Sequence, residues 1–257
     1  MNMTDVHVHD FYTFLLVFAR IAGVMTAAPM FGNRAIPKTA KAGMALFFSL
    51  AVVPLVSAKT GPIPTHLLVL AGAVLKDAVF GLALGYLAQL LFAAVELAGA
   101  LTDTMMGFGF VNLINPFAEQ QASIMGMFQY QLAIVLYLLA NGHLMMLGTL
   151  VRSFDAMPPG AIVVQGGFSL TVLAILKAMF ILGIRLALPA IGVLLVVDMA
   201  FGMVARMVPQ VNVFIVGMPV KILVGLVTAA FILPLTALVV GQIISGTAVG
   251  MNALLGQ

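Results

Sequence analysis

The sequence predicts an all-α integral membrane protein, and two observations support this prediction. Of the 257 residues, 63% are hydrophobic and 7% are charged, and the mean hydropathy is +1.20. A soluble domain carries about 25% charged residues, so this chain cannot cover a surface that faces water. The apolar residues also form continuous blocks, unlike the alternating pattern of a transmembrane β-barrel. Since a spanning helix needs roughly 20 apolar residues, the length allows about six helices.

Prolines, glycines and polar clusters divide the apolar blocks into elements. In chain order these are a helix at 11–30, a helix at 43–58 kinked or ended by Pro54, a long helix or helix pair at 67–104, a break at 107–116, a helix at 122–154 interrupted at Asn141-Gly142, a loop at 157–167, a helix at 169–205 bent at Pro189, a turn at 206–221, and a helix at 222–255 kinked at Pro234.

The turn at 206–221 interrupts the apolar sequence with prolines, amides and a cation at each end. Pro209 removes a backbone donor and disfavours helix at Val208, so the chain is predicted to turn there. A turn at membrane depth needs protein or water to satisfy its backbone. The residues that mark it are Arg206, Pro209, Gln210, Asn212, Pro219 and Lys221.

Polar residues recur inside the apolar helices. Gln89, Glu96 and Asp103 are seven residues apart and therefore lie on one helix face. Charges in hydrocarbon are costly, so this face is predicted to meet a pore or another subunit, or to pair within the chain. The cations considered for such a pair are Lys76, Lys177 and Arg185. The set predicted to be buried or in subunit contact is Arg20, Glu96, Asp103, Lys177, Arg185 and Asp198.

Two shorter patterns make specific structural predictions. Gly81 and Gly85 form a small-xxx-small pair, which allows another helix backbone to approach closely. Asp198 and Arg206 lie near each other on the way into the turn. They are expected to pair with each other or across subunits, or to be helix-end charges that reach water.

The segment from Met105 onward combines large apolar residues with glycines that disfavour a rigid helix. Methionine and phenylalanine repack readily around irregular shapes, and apolar constrictions gate pores by excluding water. The segment is therefore predicted to be either a plug or a packed connection between helices. Its candidate residues are Met105, Met106, Phe108, Phe110, Leu113, Ile114, Pro116 and Phe117.

Other features bear on orientation and on chemistry. The acidic start of the chain and the later cations Arg34, Lys38 and Lys41 place the N-terminus outside by the positive-inside tendency. No cysteine is present, and the scattered cations form no basic stripe for nucleic acid. The sequence contains no zinc-protease helix motif, nucleophile elbow or phosphate loop, so neither an enzyme nor a cofactor is predicted.

One alternative class fits part of the pattern. Broken helices and intramembrane charges also suit a stand-alone secondary transporter or ion channel. Such folds place broken segments at matching positions of two halves, and this sequence shows no such repeat. A transporter would also fold and act without companion subunits.

Several motifs cover most of the chain and together resemble one known family. The matching residues in the first part of the chain are Phe18, Arg20, Ile21 and Gly23, then Ala28, Pro29, Phe31 and Gly32, then Ile36, Pro37, Lys41 and Gly43. Those in the middle are Glu96, Gly99, Asp103, Gly107 and Pro116. Near the end, the match is Arg206-x-x-Pro209-Gln210-x-Asn212-x-Phe214 followed by Gly217-x-Pro219-x-Lys221. This set resembles the FliR type of flagellar export-gate subunit, whose counterpart in virulence type III secretion is the T subunit.

The resemblance implies a fold and site assignments. It implies helical hairpins that assemble in a cone largely above the plane of the bilayer, in place of six plain spans. It also implies a FliP-like part at approximately 1–167 fused to a FliQ-like hairpin at 168–257. It also implies that the loop at 106–120 is a plug inside an export channel, and that 206–221 is the tip of the hairpin at the closed cytoplasmic end.

The resemblance also implies a function and partners. The chain would form part of the channel and plug through which unfolded flagellar proteins cross the bacterial inner membrane during flagellum assembly. FliP and FliQ would complete a hetero-oligomeric gate in the basal body, with FlhB at its cytoplasmic end and FlhA and the basal-body ring nearby. Membrane lipid would be a further contact, and neither nucleic acid nor a cofactor would take part.

Overall fold

The computed structural model describes residues 3–33, 35–108, 123–162, 168–210 and 212–254, and its regular elements are helices. The long helices are α1 (Met3–Ala27), α2 (Lys38–Val56), α3 (Leu67–Met106), α4 (Ile124–Leu139), α5 (Gly142–Ala156), α6 (Phe168–Met207) and α7 (Val213–Leu254). A single 3₁₀ turn, Ser57–Lys59, follows α2. The predicted all-α class is confirmed for the described ranges.

Most breaks between the helices lie at the glycines, prolines and asparagines where the sequence predicted them. The region 67–104 is one continuous helix, and it ends just before Gly107, which has a φ of +91°. The interruption between α4 and α5 lies at Ala140–Asn141, where Asn141 takes a left-handed conformation with φ +56°. Pro54 and Pro189 lie inside α2 and α6. Neither ends its helix, as neighbouring groups can satisfy the carbonyl that each proline frees.

The turn predicted at 206–221 is wrong in its extent. α6 continues to Met207 and α7 begins at Val213, so the non-helical part is confined to residues 208–212, of which 211 lies outside the described residues. Pro219 and Lys221 are inside α7. The helix tolerates Pro219 although this residue cannot donate to the carbonyl one turn earlier.

Five described helices are long and apolar enough to cross a membrane, namely Val8–Ala27, Lys38–Lys59, Leu67–Met106, Leu170–Met207 and Ile215–Thr247. The pair Ile124–Leu139 and Gly142–Ala156 makes a sixth if it is counted as one broken span. This agrees with the predicted number of about six. α3, α6 and α7 are each longer than the roughly 20 residues that a bilayer requires.

The chain divides into two compact units that are interleaved along the sequence. The first comprises residues 1–90, 141–175 and 244–257, and the second comprises 91–140 and 176–243. The proposed division into a FliP-like part (1–167) and a FliQ-like hairpin (168–257) stays a prediction.

In the first unit, α1 and the first half of α3 pack backbone to backbone. A Cβ at Gly23 would lie 2.5 Å from the carbonyl oxygen of Ala78, and a Cβ at Gly81 would overlap the carbonyl oxygen of Arg20. A Cβ at Gly85 would lie 2.9 Å from that of Ala27. The predicted close approach at the small-xxx-small pair is confirmed, and the partner helix is α1.

In the second unit, the later half of α3 packs in the same manner. A Cβ on Gly99 would overlap Gly126 of α4, and a Cβ on Gly183 of α6 would lie 2.9 Å from the Ala94 carbonyl oxygen. Small residues therefore let α3 contact α4 and α6 closely, as is common where helices associate without a hydrophobic driving force between them.

We expect Gly81→Ala to destabilise the protein by about 1–3 kcal/mol, because the added methyl group would force α1 and α3 apart. Gly72→Ala is the matched control on the same helix, since nothing lies within 4 Å of its Cβ position. That control should be neutral or gain up to about 1 kcal/mol from helix propensity. The free energy of unfolding in mixed detergent micelles measures both. Equal stability of the two variants would contradict the proposed close contact.

Candidate functional site

The first candidate site is a buried arginine on α1. The Nε–H of Arg20 donates to Asp77 Oδ1 at 2.8 Å, and its Nη1 donates to the carbonyl oxygen of Met157 at 2.9 Å and to that of Ser153 at 3.2 Å. Nη2 lies 2.6 Å from the same Asp77 oxygen, and it adds charge attraction rather than an aligned hydrogen bond. We call Arg20, Asp77, Ser153, Met157 and Gly160 the buried arginine site.

Aromatic rings enclose the guanidinium group. Its Cζ lies 4.3 Å from the ring centroid of Phe154 and 5.1 Å from that of Phe80. The side chains of Arg20 and Asp77 are both 0% exposed. Arginine suits this environment, because its planar group can stack on rings while its edge donates hydrogen bonds.

The second oxygen of Asp77 binds a turn that follows α5. The N–H of Gly160 donates to Asp77 Oδ2 at 2.9 Å, and the N–H of Ala161 donates to the carbonyl oxygen of Pro158 at 3.1 Å. Gly160 has a φ of +80°, as a type II turn with Pro159 before it requires. The loop predicted at 157–167 therefore begins with a tight turn, and Asp77 accepts a hydrogen bond from the Gly160 N–H of that turn.

An exposed pair lies in the same unit and offers a contrast. Lys59 Nζ is 2.6 Å from Asp155 Oδ1, with side chains that are 45% and 57% exposed. Ser57 also donates to Asp10 at 3.1 Å. An exposed ion pair such as Lys59–Asp155 contributes little to stability, whereas the buried arginine site cannot lose one charge without leaving the other unpaired.

The second candidate site is an apolar cluster rich in methionine. Its buried members are Met106, Met125, Leu194 and Ala229, and the partly buried residues packed on it are Met105, Phe108, Ile222 and Val224. We call these eight residues the methionine cluster. The side chain of Met106 lies against Gly225, where a Cβ would be 2.6 Å from its Cγ. Three of the predicted plug residues, Met105, Met106 and Phe108, thus pack together.

The methionine cluster brings together residues from either side of segment 109–122. Phe108 stands just before this segment and Met125 shortly after it, and both belong to the cluster. Asp103 strengthens the junction, because its Oδ1 accepts from the N–H of Met125 at 3.2 Å and its carbonyl oxygen accepts from Phe108. The hydroxyl of Ser123 accepts from Gly126 at 2.8 Å and caps α4.

The third candidate site is the α6–α7 hairpin. Lys221 forms an ion pair with Asp198, and Gly217 faces the ring of Phe201. Asp198 precedes Phe201 on α6, whereas its partner Lys221 follows Gly217 on α7. The two helices are therefore antiparallel. Asn212 caps α7, since its Oδ1 accepts from the N–H of Ile215 at 3.4 Å. We call residues 208–212 the hairpin tip.

Several predicted roles need correction. Asp198 pairs with Lys221 and not with Arg206, which is exposed near the end of α6. Asp103 forms no ion pair with a described residue, and it caps the start of α4. Neither Lys76 nor any other described cation pairs with Glu96. Glu96, Lys177 and Arg185, which were predicted to be buried or in subunit contact, are exposed on this chain, so their contact with another subunit stays a prediction.

Some predicted site residues have a limited description. Five plug residues, Phe110, Leu113, Ile114, Pro116 and Phe117, lie outside the described residues. Phe214 lies in the first turn of α7. Pro209 and Gln210 are exposed at the hairpin tip.

The sequence analysis missed Asp77, although a signal for it was present. Asp77, Gly81 and Gly85 are four residues apart in succession and therefore share one face of α3. The face that approaches α1 through its glycines is also the face that carries the carboxylate for Arg20.

Comparison with known proteins adds to this geometry. Residues 11–247 match the model of a protein family described as "Bacterial export proteins, family 1". The chain belongs to this family. The match covers most of the sequence, including the buried arginine site, the methionine cluster and the hairpin tip. Membership in an export family agrees with the prediction that the chain is not an enzyme.

Individual relatives confirm the predicted resemblance. The flagellar biosynthetic protein FliR of Bacillus subtilis is 35% identical over 251 residues, which cover 95% of each chain. FliR of Escherichia coli K12 is 30% identical over 218 residues, covering 85% of this chain and 83% of the relative. The secretion system apparatus protein SsaT of Salmonella typhimurium is 30% identical over 164 residues, or 63% of each chain. This family member is therefore of the FliR type.

We expect Asp77→Asn to cost about 3–5 kcal/mol of stability, because it leaves the Arg20 charge buried without its counter-ion. Asp155→Asn is the matched control at the exposed pair with Lys59 and should cost less than about 1 kcal/mol. Unfolding in mixed micelles measures the difference.

A double variant separates charge pairing from packing at this site. Adding Arg20→Met to Asp77→Asn removes the unpaired charge, so it should recover part of the lost stability. If Asp77→Asn is as mild as Asp155→Asn, the pair does not stabilise the fold.

Proposed function

We propose that this chain is a subunit of the flagellar type III protein export gate in the bacterial inner membrane. It forms part of the channel and its plug, and unfolded flagellar proteins pass through that channel during flagellum assembly. The support is membership in the export family and the relatives that carry the name of a flagellar biosynthetic protein.

One observation in particular supports the plug that the resemblance implies at 106–120. Phe108 and Met125, which lie on either side of residues 109–122, both pack in the methionine cluster, and the N–H of Met125 also donates to Asp103. These contacts anchor the residues that flank the proposed plug. Because the anchor is mostly thioether and aromatic contact, it gives way without separating charges. These properties suit a seal that opens for a polypeptide and closes again.

The hairpin tip supports a role at the channel entrance. α6 and α7 are joined by a short turn whose helix start is capped by Asn212 and whose sides are linked by Asp198 and Lys221. Gln210 at the tip and Arg206 in the last turn of α6 are exposed. We assign this end to contact with FlhB, and the sides of the helices to contact with FliP and FliQ.

Assembly tests the proposal directly. The chain is expressed alone and together with FliP and FliQ, extracted in mild detergent and weighed by native mass spectrometry. A discrete hetero-oligomer that contains this chain supports the export gate. A monomer or homo-oligomer that is indifferent to the companions would favour the stand-alone transporter or channel.

Deleting 107–116 should make the assembled gate leaky to small ions, because the deletion removes Phe108 and much of the proposed plug. Met106→Ser should leak to a smaller extent, since Met106 is fully buried in the cluster. Met145→Ser is the matched control, as Met145 is 49% exposed on α5. Ion conductance of purified complexes in planar bilayers measures the effect. An unchanged conductance in a deletion complex of full mass would refute the plug.

Asn212→Ala should slow export, because the loss of the cap costs α7 about 1 kcal/mol at the hairpin tip. Asn212→Ser keeps a capping oxygen and should export normally. Adding Gln210→Ala to Asn212→Ala tests whether the second amide contributes to substrate entry. Secreted flagellar protein per cell is the measurement. Normal export by the double variant would argue against a role of the tip.

A further inference from the structure

One outer face of α6 combines large apolar side chains with two cations. Phe180, Ile184 and Leu188 are 53%, 46% and 54% exposed, and Ile181 beside them is 39% exposed. Lys177 and Arg185 are exposed among them. We call these six residues the α6 face. By helical spacing five of them lie on the side of α6 that points away from Gly183 and Leu194, which pack into the second unit, and Phe180 lies at the edge of this side.

Neither cation of the α6 face has an ionic partner among the described residues. The ion pairs of the described part of the chain are Arg20–Asp77, Lys59–Asp155 and Lys221–Asp198. Asp103 is occupied at the start of α4, and Glu96 pairs with no described cation. The chain therefore carries two positive charges, two turns apart, on an otherwise apolar surface.

Lipid and water each fail to satisfy this face. Hydrocarbon would solvate Phe180 and Leu188 well, yet it would leave Lys177 and Arg185 without counter-ions at a cost of several kcal/mol. Water would solvate the two cations but would leave the apolar side chains exposed. A protein surface that is apolar and carries carboxylates at the matching height satisfies both groups at once.

We infer that the α6 face binds an apolar helix of another protein subunit, and that this helix presents a carboxylate to Arg185 and a second one toward Lys177. Arginine is suited to such a contact, because its planar group binds a carboxylate through two parallel hydrogen bonds. The identity of the partner as another export-gate subunit rests on the proposed function, whereas its acidic and apolar chemistry follows from the α6 face alone.

A second copy of this chain is a poor partner for the face. In a two-fold symmetric contact the same patch meets itself. Two α6 faces would then bring Lys177 and Arg185 of both copies into one apolar interface, where like charges repel. The two cations therefore favour a different protein chain that carries acidic side chains.

Photo-crosslinking in native membranes tests the contact in the full chain. Phe180 is replaced by the photoreactive p-benzoylphenylalanine, and Phe92, which is 0% exposed, is replaced in the same manner as a control. We expect a protein adduct from position 180 and none from position 92. Peptide mapping of the adduct should find an Asp or Glu within about one helical turn of the crosslinked residue.

Charge variants then test the ionic contact itself. Arg185→Glu should reduce the yield of the adduct about tenfold, while Arg185→Lys should retain most of it. Arg152→Glu is the matched control, since Arg152 is an exposed arginine on α5 in the other unit. Replacing the mapped carboxylate by lysine should restore the adduct to Arg185→Glu. Equal amounts of each variant in the membrane show that the chain still folds.

Four outcomes would overturn the inference. They are a lipid adduct or no adduct at position 180, an adduct to a second copy of this chain, an adduct within the same chain, and a yield that Arg185→Glu leaves unchanged. The proposed function fails separately. If the mapped partner is an acidic helix outside the export apparatus, the proposed function is refuted and the inference about the α6 face is supported. If FliP and FliQ assemble with this chain without such a contact, the inference about the α6 face fails and the proposed function is kept.

Discussion

The ion pair between Arg20 and Asp77 is the contact on which the first unit depends. Arg20 acts through two groups, since its guanidinium binds Asp77 while its own carbonyl oxygen fits against Gly81. The charge contact and the close backbone approach therefore cannot form separately. Asp77 extends the linkage to the turn at Gly160. Because both charges are fully buried, any rearrangement of α1 against α3 would first have to separate them in an apolar interior.

The methionine cluster of the second unit follows the opposite principle. Apart from the hydrogen bond from Met125 to Asp103, its contacts are dispersion contacts of thioether, aromatic and aliphatic groups. Such contacts lose little when side chains slide, because a methionine side chain has several rotamers that fill similar space. One helix, α3, carries both kinds of contact, with Asp77 and Gly81 in its first half and Asp103 and Met106 at its end. The helix α3 therefore carries one contact that resists rearrangement, at Asp77 and Gly81, and one that tolerates it, in the methionine cluster.

The sequence predicted the helices and the close glycine contacts well, because continuous apolar runs and small-xxx-small spacing act locally. It could not predict partners that are distant in sequence, such as Asp77 for Arg20 or Lys221 for Asp198. It also overestimated the hairpin turn. Pro209 ends α6 and Pro219 does not end α7, although the two residues look alike in sequence. The difference depends on whether neighbouring groups compensate for the lost hydrogen bond.

The placement of charges also explains why the composition suits a subunit better than a free-standing transporter. Arg20, Asp103 and Asp198 are satisfied inside the chain, as a protein that folds before assembly requires. Glu96 and Arg185 are exposed on helices that are otherwise apolar. A stand-alone transporter would turn such groups toward its own water-filled cavity and pair them there. Charges left outward on apolar helices instead raise the free energy of the isolated chain, and a complementary neighbour lowers it by covering them.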